Sequence, residues 1–358
     1  MNSQPTFLEA LQERGVSRRA FLKFCSLTAS SLALSGQAAR LFAEELAAAP
    51  RPTVIWLSFQ QCTGCSESLL RSFNPSLENL ILNVISLDYH ETLQVAAGDQ
   101  AEKARADAMQ AAFGRYVLIV DGSIPWGKTE YWSTVAGSSN LAALKEAVDG
   151  AALVVALGTC ATFGGIPAAY PNPSSASGYG ELVEKGRIKP ASGRSLPPYV
   201  NVSGCPPVPE VITGTIAWYL VNKTLPELDA LRRPKVYYGK TVHDCCPRLP
   251  QYDLGLFAQS HGDDGAKQGY CLYLLGCKGA ETYNACTTVK WNGGLSSPTH
   301  SGHGCLACSE PKFWDREKVV VKGSDGKDVV SFGSFYTPNA KILPVTGECT
   351  APPPLLTG

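Results

Sequence analysis

At 358 residues the chain is long enough for a sizeable core and for two domains of ordinary size. Lysine plus arginine and aspartate plus glutamate balance at 31 each, which argues against nucleic acid or another polyanion as partner. Charged residues make up 17% of the chain, against about 25% in ordinary soluble domains. Either a partner protein covers much of the surface, or the 34 glycines and 25 prolines make a loop-rich chain.

Residues 1–49 read as a twin-arginine export signal. Ser17-Arg18-Arg19-Ala20-Phe21-Leu22-Lys23 precedes a mildly apolar run from Phe24 to Leu34 and an Ala-rich stretch from Ala38 to Ala49. A charged region, a short apolar region and small residues for cleavage follow one another as such a signal requires. The alternative is a basic amphipathic helix. The apolar run falls short of the roughly 20 residues a membrane span needs, and no other segment reaches that length. The mature protein is therefore expected in the periplasm, membrane-associated only through a partner, with the leader outside its fold.

Residues 52–59 read as a buried strand running into Gln61-Cys62-Thr63-Gly64-Cys65, after which residues 66–72 open a helix. Residues 80–87, 116–120, 152–157 and 199–202 read as further strands, and 99–113, 140–148 and 208–221 as helices. Near-continuously apolar strands alternating with helices predict a parallel sheet covered on both faces. The fold class is α/β: a flavodoxin-like, doubly wound parallel sheet over residues 50–232, followed by a loop-rich domain over 233–315 with little regular structure. Residues 235–238 read as a short strand opening that second domain. Residues 316–358 form a C-terminal tail without an assigned role.

An exported protein with 13 cysteines invites a disulfide reading. The size of the chain, two pairs with C-x-x-C spacing and a histidine in the series argue against it. In the first domain, Cys62 and Cys65 follow the first strand, Cys160 follows the strand ending at residue 157, and Cys205 follows the strand ending at 202. Parallel strands put these loops along one edge of the sheet, where open α/β folds bind ligands. Four thiolates can close there on a four-iron cluster or a tetrahedral zinc ion.

Residues 243–308 hold seven of the 13 cysteines among scattered Gly and Pro, with too little periodicity to order by apolar burial alone. His243, Cys246, Cys271 and Cys277 supply a second set of four ligands. Cys286, Cys305 and Cys308 supply a third set of three, which suits a three-iron cluster or an open metal site. Spacing alone leaves zinc open at both. His90, His261, His300 and His303 fall outside the pattern and read as surface or outer-sphere histidines.

Several blocks closely resemble the small subunit of the nickel–iron hydrogenases. They are Cys62-Thr-Gly-Cys-Ser-Glu-Ser-Leu-Leu-Arg71, Ser86-Leu-Asp-Tyr-His-Glu91, Gly158-Thr-Cys-Ala-Thr-Phe-Gly-Gly165 and Gly204-Cys-Pro-Pro207. They continue with His243-Asp-Cys-Cys-Pro-Arg-Leu-Pro250, Leu275-Gly-Cys-Lys-Gly279 and Cys305-Leu-Ala-Cys-Ser-Glu-Pro311. The resemblance implies a proximal 4Fe–4S cluster on Cys62, Cys65, Cys160 and Cys205. It implies a distal 4Fe–4S cluster on His243, Cys246, Cys271 and Cys277, and a medial 3Fe–4S cluster on Cys286, Cys305 and Cys308. Pro298 matches the position where the family has a proline in place of a fourth medial cysteine.

The same resemblance places the nickel–iron centre in a large-subunit partner, so that this chain carries no catalytic residue of its own. Its expected work is to conduct electrons, for reversible H2 oxidation, to an acceptor such as a c-type or membrane cytochrome. Thr63 and Glu91 match positions implicated in proton exit. Several relatives have Glu directly before the first cluster cysteine, where this chain has Gln61. Gly64 and Gly165 stand where oxygen-tolerant members carry two extra cysteines, which implies the standard, oxygen-sensitive type. Cys25, Cys245 and Cys349 match no ligand position. Three rival readings stay open: a hydrogen-sensing regulatory subunit, a respiratory NADH:quinone oxidoreductase subunit, which lacks the histidine–cysteine domain, and a zinc-stabilised non-enzymatic binding protein.

Overall fold

The computed structural model describes residues 18–48, 52–73, 86–189 and 193–315, together with the backbone of Val319–Lys322 and Asp328–Ser331. The chain divides into two compact units after Val236. Five strands form the sheet of the first: β1 (Thr53–Ser58), β2 (Ser86–His90), β3 (Tyr116–Asp121), β4 (Ala151–Leu157) and β5 (Tyr199–Val202). All neighbours pair in parallel in the order β2-β1-β3-β4-β5, the flavodoxin-like order. Every residue of β3 is buried, as is all of β4 except Ala152. Strands covered on both faces lose the polar alternation of half-exposed ones, hence their continuous apolar runs.

The helices of this unit are α1 (Arg18–Ser31), α2 (Gly36–Ala48), α3 (Gly64–Leu70), α4 (Asp99–Ala111), α5 (Asn140–Asp149), α6 (Gly158–Phe163), α7 (Tyr179–Glu184) and α8 (Pro209–Asn222). The Ser139 side chain caps α5 by accepting from the Ala142 N–H at 3.1 Å, and Asp99 and Glu102 complement the positive end of α4. A hydrophobic core cluster runs from Ile55 to Ile188 and gathers residues of β1, β3, β4, α4, α5 and α7.

Three expectations are revised. The N-terminal stretch does not stand apart: α1 and α2 pack on each other and on α8. Phe21, Cys25, Ala29 and Leu32 recur every three to four residues, so one face of α1 is apolar, and all four are buried, with Phe42 and Leu46 of α2. Helix α8 is apolar around its circumference and takes cover on all sides. The second strand runs on past residue 87 to His90, while residues 80–85 lie outside the described part. Residues 235–238 form a single helical turn, not a strand. The adjacent Tyr237 and Tyr238 are both buried there, which alternating strand faces would not allow toward a single core.

The second unit is built from turns. Among its described residues no helix exceeds the five residues of Leu249–Asp253, and the one strand pair is the antiparallel Val319–Lys322 with Asp328–Ser331. Backbone hydrogen bonds between loops order it, such as Val242 N–H to Thr282 O at 2.7 Å and Cys271 N–H to Leu256 O at 2.9 Å.

Candidate metal centres

β1, β4 and β5 end at the same edge of the sheet, and the loops leaving them carry Cys62 and Cys65, Cys160, and Cys205. Cys65 and Cys160 sit in the first turns of α3 and α6. Thr63, left-handed at φ 68°, donates its N–H to the Gln61 side-chain oxygen, which fixes the turn between the first two cysteines. The loops after β4 and β5 are tied reciprocally: Thr159 N–H donates to Gly204 O at 2.9 Å, and Gly204 N–H to Thr159 Oγ1 at 3.0 Å.

Burial pushes the Cys65 thiol well up, and Asp121, Cys160 and Cys205 push it further. Burial, Asp121 and Cys62 push Cys160 up to about 12. These mutual effects place the four thiols within electrostatic range of one another. A metal group held among these thiols would favour their thiolate forms. Gly165 has φ +62°, and a Cβ there would lie 2.4 Å from Cys160 Sγ and 2.7 Å from its Cα, so no side chain fits against this site.

Polar residues without a motif of their own lie behind these cysteines. Asp121 ends β3, between β1 and β4, and is 1% exposed. Burial pushes its carboxyl up to about 7, against the opposing pull of Cys65, Trp56 and Ser66. His90 Nδ1 accepts the Thr92 N–H at 3.2 Å, which leaves Nε2 to donate to Ser66 Oγ, also at 3.2 Å. At 1% exposure burial pushes His90 down to about 4, so it is a neutral interior group and not a surface histidine. An aspartate at the carboxyl end of an apolar strand was the readable signal for Asp121. Ser66 lies within the block Cys62–Arg71, but nothing in that block announces its contact with His90. Thr63 and Glu91 stand at the exposed rim. The Glu91 carboxyl is raised by partial burial and by Glu102, against a hydrogen bond from Ser58.

In the second unit His243, Cys246, Cys271 and Cys277 line one narrow cavity of about 20 Å³, together with Arg248, Leu272 and Tyr273. Arg248 ties two loops around it, its Nε donating to Thr299 O and its Nη1 to Tyr270 O, both at 2.7 Å. His243 N–H donates to Gly279 O at 3.0 Å, and its ring meets Tyr252 edge-on with centroids 4.6 Å apart. Burial lowers the His243 pKa, which favours the neutral imidazole that binds metal.

Cys286, Cys305 and Cys308 form the third group. Burial and Cys308 push Cys286 up to about 12, and burial, Cys277 and Cys308 push Cys305 well up. Trp291 Nε1 donates to Cys286 Sγ at 3.4 Å, a contact that no sequence pattern announces. The second and third groups adjoin: Cys305 N–H donates to Cys277 Sγ at 3.2 Å, and Lys278 N–H to Cys305 O at 2.8 Å. No disulfide joins any two of the twelve described cysteines. Among the described residues no three His, Cys, Asp or Glu side chains converge closely enough to hold a single metal ion.

A five-stranded parallel sheet with four cysteines on the loops at its carboxyl edge, followed by a loop-built unit with seven further described cysteines, defines a cysteine-rich α/β protein of two units. Residues 62–219 match the family described as NADH ubiquinone oxidoreductase, 20 Kd subunit, and residues 238–321 match the C-terminal family of the NiFe/NiFeSe hydrogenase small subunit. The chain is 44% identical over 346 residues to the Hydrogenase-1 small chain of Citrobacter freundii, covering 97% of this chain and 88% of that one. It is 42% identical to the uptake hydrogenase small subunit of Azotobacter vinelandii over 316 residues, or 88% and 85% of the two chains. Among solved structures it resembles the nickel–iron–selenium hydrogenase of Desulfomicrobium baculatum, with a TM-score of 0.67 and 32% identity over 74% of this chain and 96% of that one. The chain belongs to the nickel–iron hydrogenase small-subunit family. It is one chain of a hydrogenase, works with a large subunit that holds the nickel–iron centre, and is of a family that carries iron–sulfur clusters.

Proposed function

We propose that this chain carries electrons between the nickel–iron centre of the large subunit and an external acceptor, a c-type or membrane cytochrome, during reversible H2 oxidation. Cys62, Cys65, Cys160 and Cys205 hold a proximal 4Fe–4S group, Cys286, Cys305 and Cys308 a medial 3Fe–4S group, and His243, Cys246, Cys271 and Cys277 a distal 4Fe–4S group. Bound there, such groups supply reversible one-electron chemistry. The observation that carries the reading is the single cavity lined by all four residues of the His243 set.

The chain's own residues give each site its character. Cys271 and Cys286 are buried and most of the other cysteines partly so, Cys62 being exposed; the Thr159–Gly204 pair and Arg248 hold the loops in register, and His243 contributes a neutral ligand in place of an anionic thiolate. Exposed apolar side chains gather on the loops that follow the strands at the carboxyl edge of the sheet: Leu93 and Val95 after β2, Tyr131 and Trp132 after β3, Ile166 and Tyr170 after β4. A face of this kind suits the large subunit, and puts Thr63 and Glu91 on the rim where protons would leave. Gly64 and Gly165 leave the proximal group with four thiolates only, in keeping with the oxygen-sensitive type. The twin-arginine leader implies export to the periplasm. Among the described residues no helix is long and apolar enough to cross a membrane. Metal analysis of the purified heterodimer tests the assignment: about eleven iron atoms attributable to this chain are expected, and two or three zinc with little iron would overturn it.

A further inference from the structure

The indole of Trp291 is placed with unusual care for a side chain in a loop. Lys290 and Asn292 on either side of it are both left-handed, at φ 65° and 55°, a conformation that asparagine tolerates in turns but that is uncommon for lysine. The backbone of Trp291 closes the Asn292-Gly293-Gly294-Leu295 loop on itself, donating to Ser296 O at 2.7 Å and accepting from Leu295 N–H at 3.0 Å and Ser296 N–H at 3.3 Å. The product of this geometry is a single polar contact, Trp291 Nε1–H to Cys286 Sγ at 3.4 Å. Cys286 itself is 9% exposed and lies within the short turn Ala285–Thr287, so little water reaches its sulfur.

We propose that Trp291 is a positioning and tuning residue for the three-cysteine group: its indole N–H hydrogen bond to Cys286 raises the reduction potential of the group bound there. The inference rests on the three-iron assignment given above. A hydrogen bond to a ligating sulfur withdraws charge from it and favours the reduced, more negative form of the centre. In a buried site the effect is larger, because no solvent dipoles compete. Only the donor matters in this account. A ring of similar bulk without the N–H would fill the space and lose the effect.

The test is a redox titration of the intact heterodimer followed by EPR, comparing wild type with Trp291→Phe. The expected result is a normal three-iron signal whose midpoint falls, such that at fixed potential the oxidised-to-reduced ratio rises roughly tenfold, or about 59 mV for a one-electron couple. A second measurement needs no variant: in wild type labelled with 15N-tryptophan, the oxidised centre should show coupling to an indole nitrogen and to its exchangeable proton. A normal signal with an unchanged midpoint in Trp291→Phe, or no indole coupling in the labelled wild type, overturns the inference and leaves the cluster assignment intact. Absence of any three-iron signal in the wild type overturns that assignment and the inference with it.

Discussion

The two units hold their sites by opposite means. In the first, the apolar core between Ile55 and Ile188 is complete without a ligand, and the cysteines hang from loops at the edge of a sheet that would stand anyway. In the second, the buried apolar side chains among the described residues are fewer: Tyr237, Tyr238, Phe313 and Trp314 lie at its two ends, and only Val242, Ala258, Leu272, Ala285 and Ala307 are dispersed among the loops that carry the ligands. Apolar burial at roughly 25 cal/mol per Å² stabilises the sheet unit, whereas so little burial cannot offset the cost of ordering roughly seventy loop residues. Bound metal groups must take the place of a core there, as structural metals do in other small loop-built domains.

That contrast gives the largest expected effect. Anaerobic removal of iron from the heterodimer should collapse backbone hydrogen-exchange protection across residues 243–308, while amides of β1, β3 and β4 keep theirs. Protection surviving in both units would show that the loops order themselves, and the contrast would fail.

A smaller effect sharpens the same contrast from the sheet side. His90 is buried as the neutral base, with its pKa pushed down to about 4, while the unfolded chain would titrate near 6.5. Between these values the unfolded state binds more protons than the folded one, so stability is fully present above about pH 6.5 and falls as the pH drops toward 4. The shift corresponds to a loss on the order of 3 kcal/mol over that window. His90→Gln should keep a side chain able to donate to Ser66 and flatten the slope. Thermal unfolding of wild type and variant at pH 6.5 and 4 measures it, and equal slopes would show that other groups carry the acid sensitivity.

The same contrast governs what could be read from sequence. Four of the five strands were legible from their apolar runs, whereas β2, read over 80–87, lies at Ser86–His90 and is not continuously apolar; the ends of the first, fourth and fifth strands put the loops of Cys62, Cys65, Cys160 and Cys205 along one edge. The groups behind that site were legible only in part: Asp121 is marked by its place at the end of an apolar strand, whereas nothing in Ser86-Leu-Asp-Tyr-His90 announces that His90 is buried. In the second unit the reverse holds. Ligand types and spacings pointed to the groups, but no periodicity could place Arg248 across two loops or aim Trp291 at Cys286, because those contacts depend on turns many residues away. The leader's composition suits export, and the apolar face of α1 is equally suited to cover α8.

The smallest effect concerns the exit end of the chain. His243 is half-buried, its ring packed against Tyr252 at 4.6 Å, and it shares its cavity with three cysteines. As a neutral ligand it leaves the distal group less negative than a fourth thiolate would, and imidazole ligation raises potential where that comparison has been made in iron–sulfur centres. A ring at the surface also offers an acceptor a shorter route than a buried sulfur. His243→Gly should therefore slow H2-driven dye reduction by about tenfold, or roughly 1.4 kcal/mol in barrier terms, with bound iron retained. H/D exchange, which takes place at the large subunit and needs no electron exit, should stay near wild type. Measuring both activities on one preparation separates the possibilities. If both fall together, His243 only completes the site and its loss damages the whole assembly. If exchange survives while dye reduction falls, the histidine governs the last electron transfer, and the loop-built unit is ordered by its metal groups so that this one ring can be held at the surface.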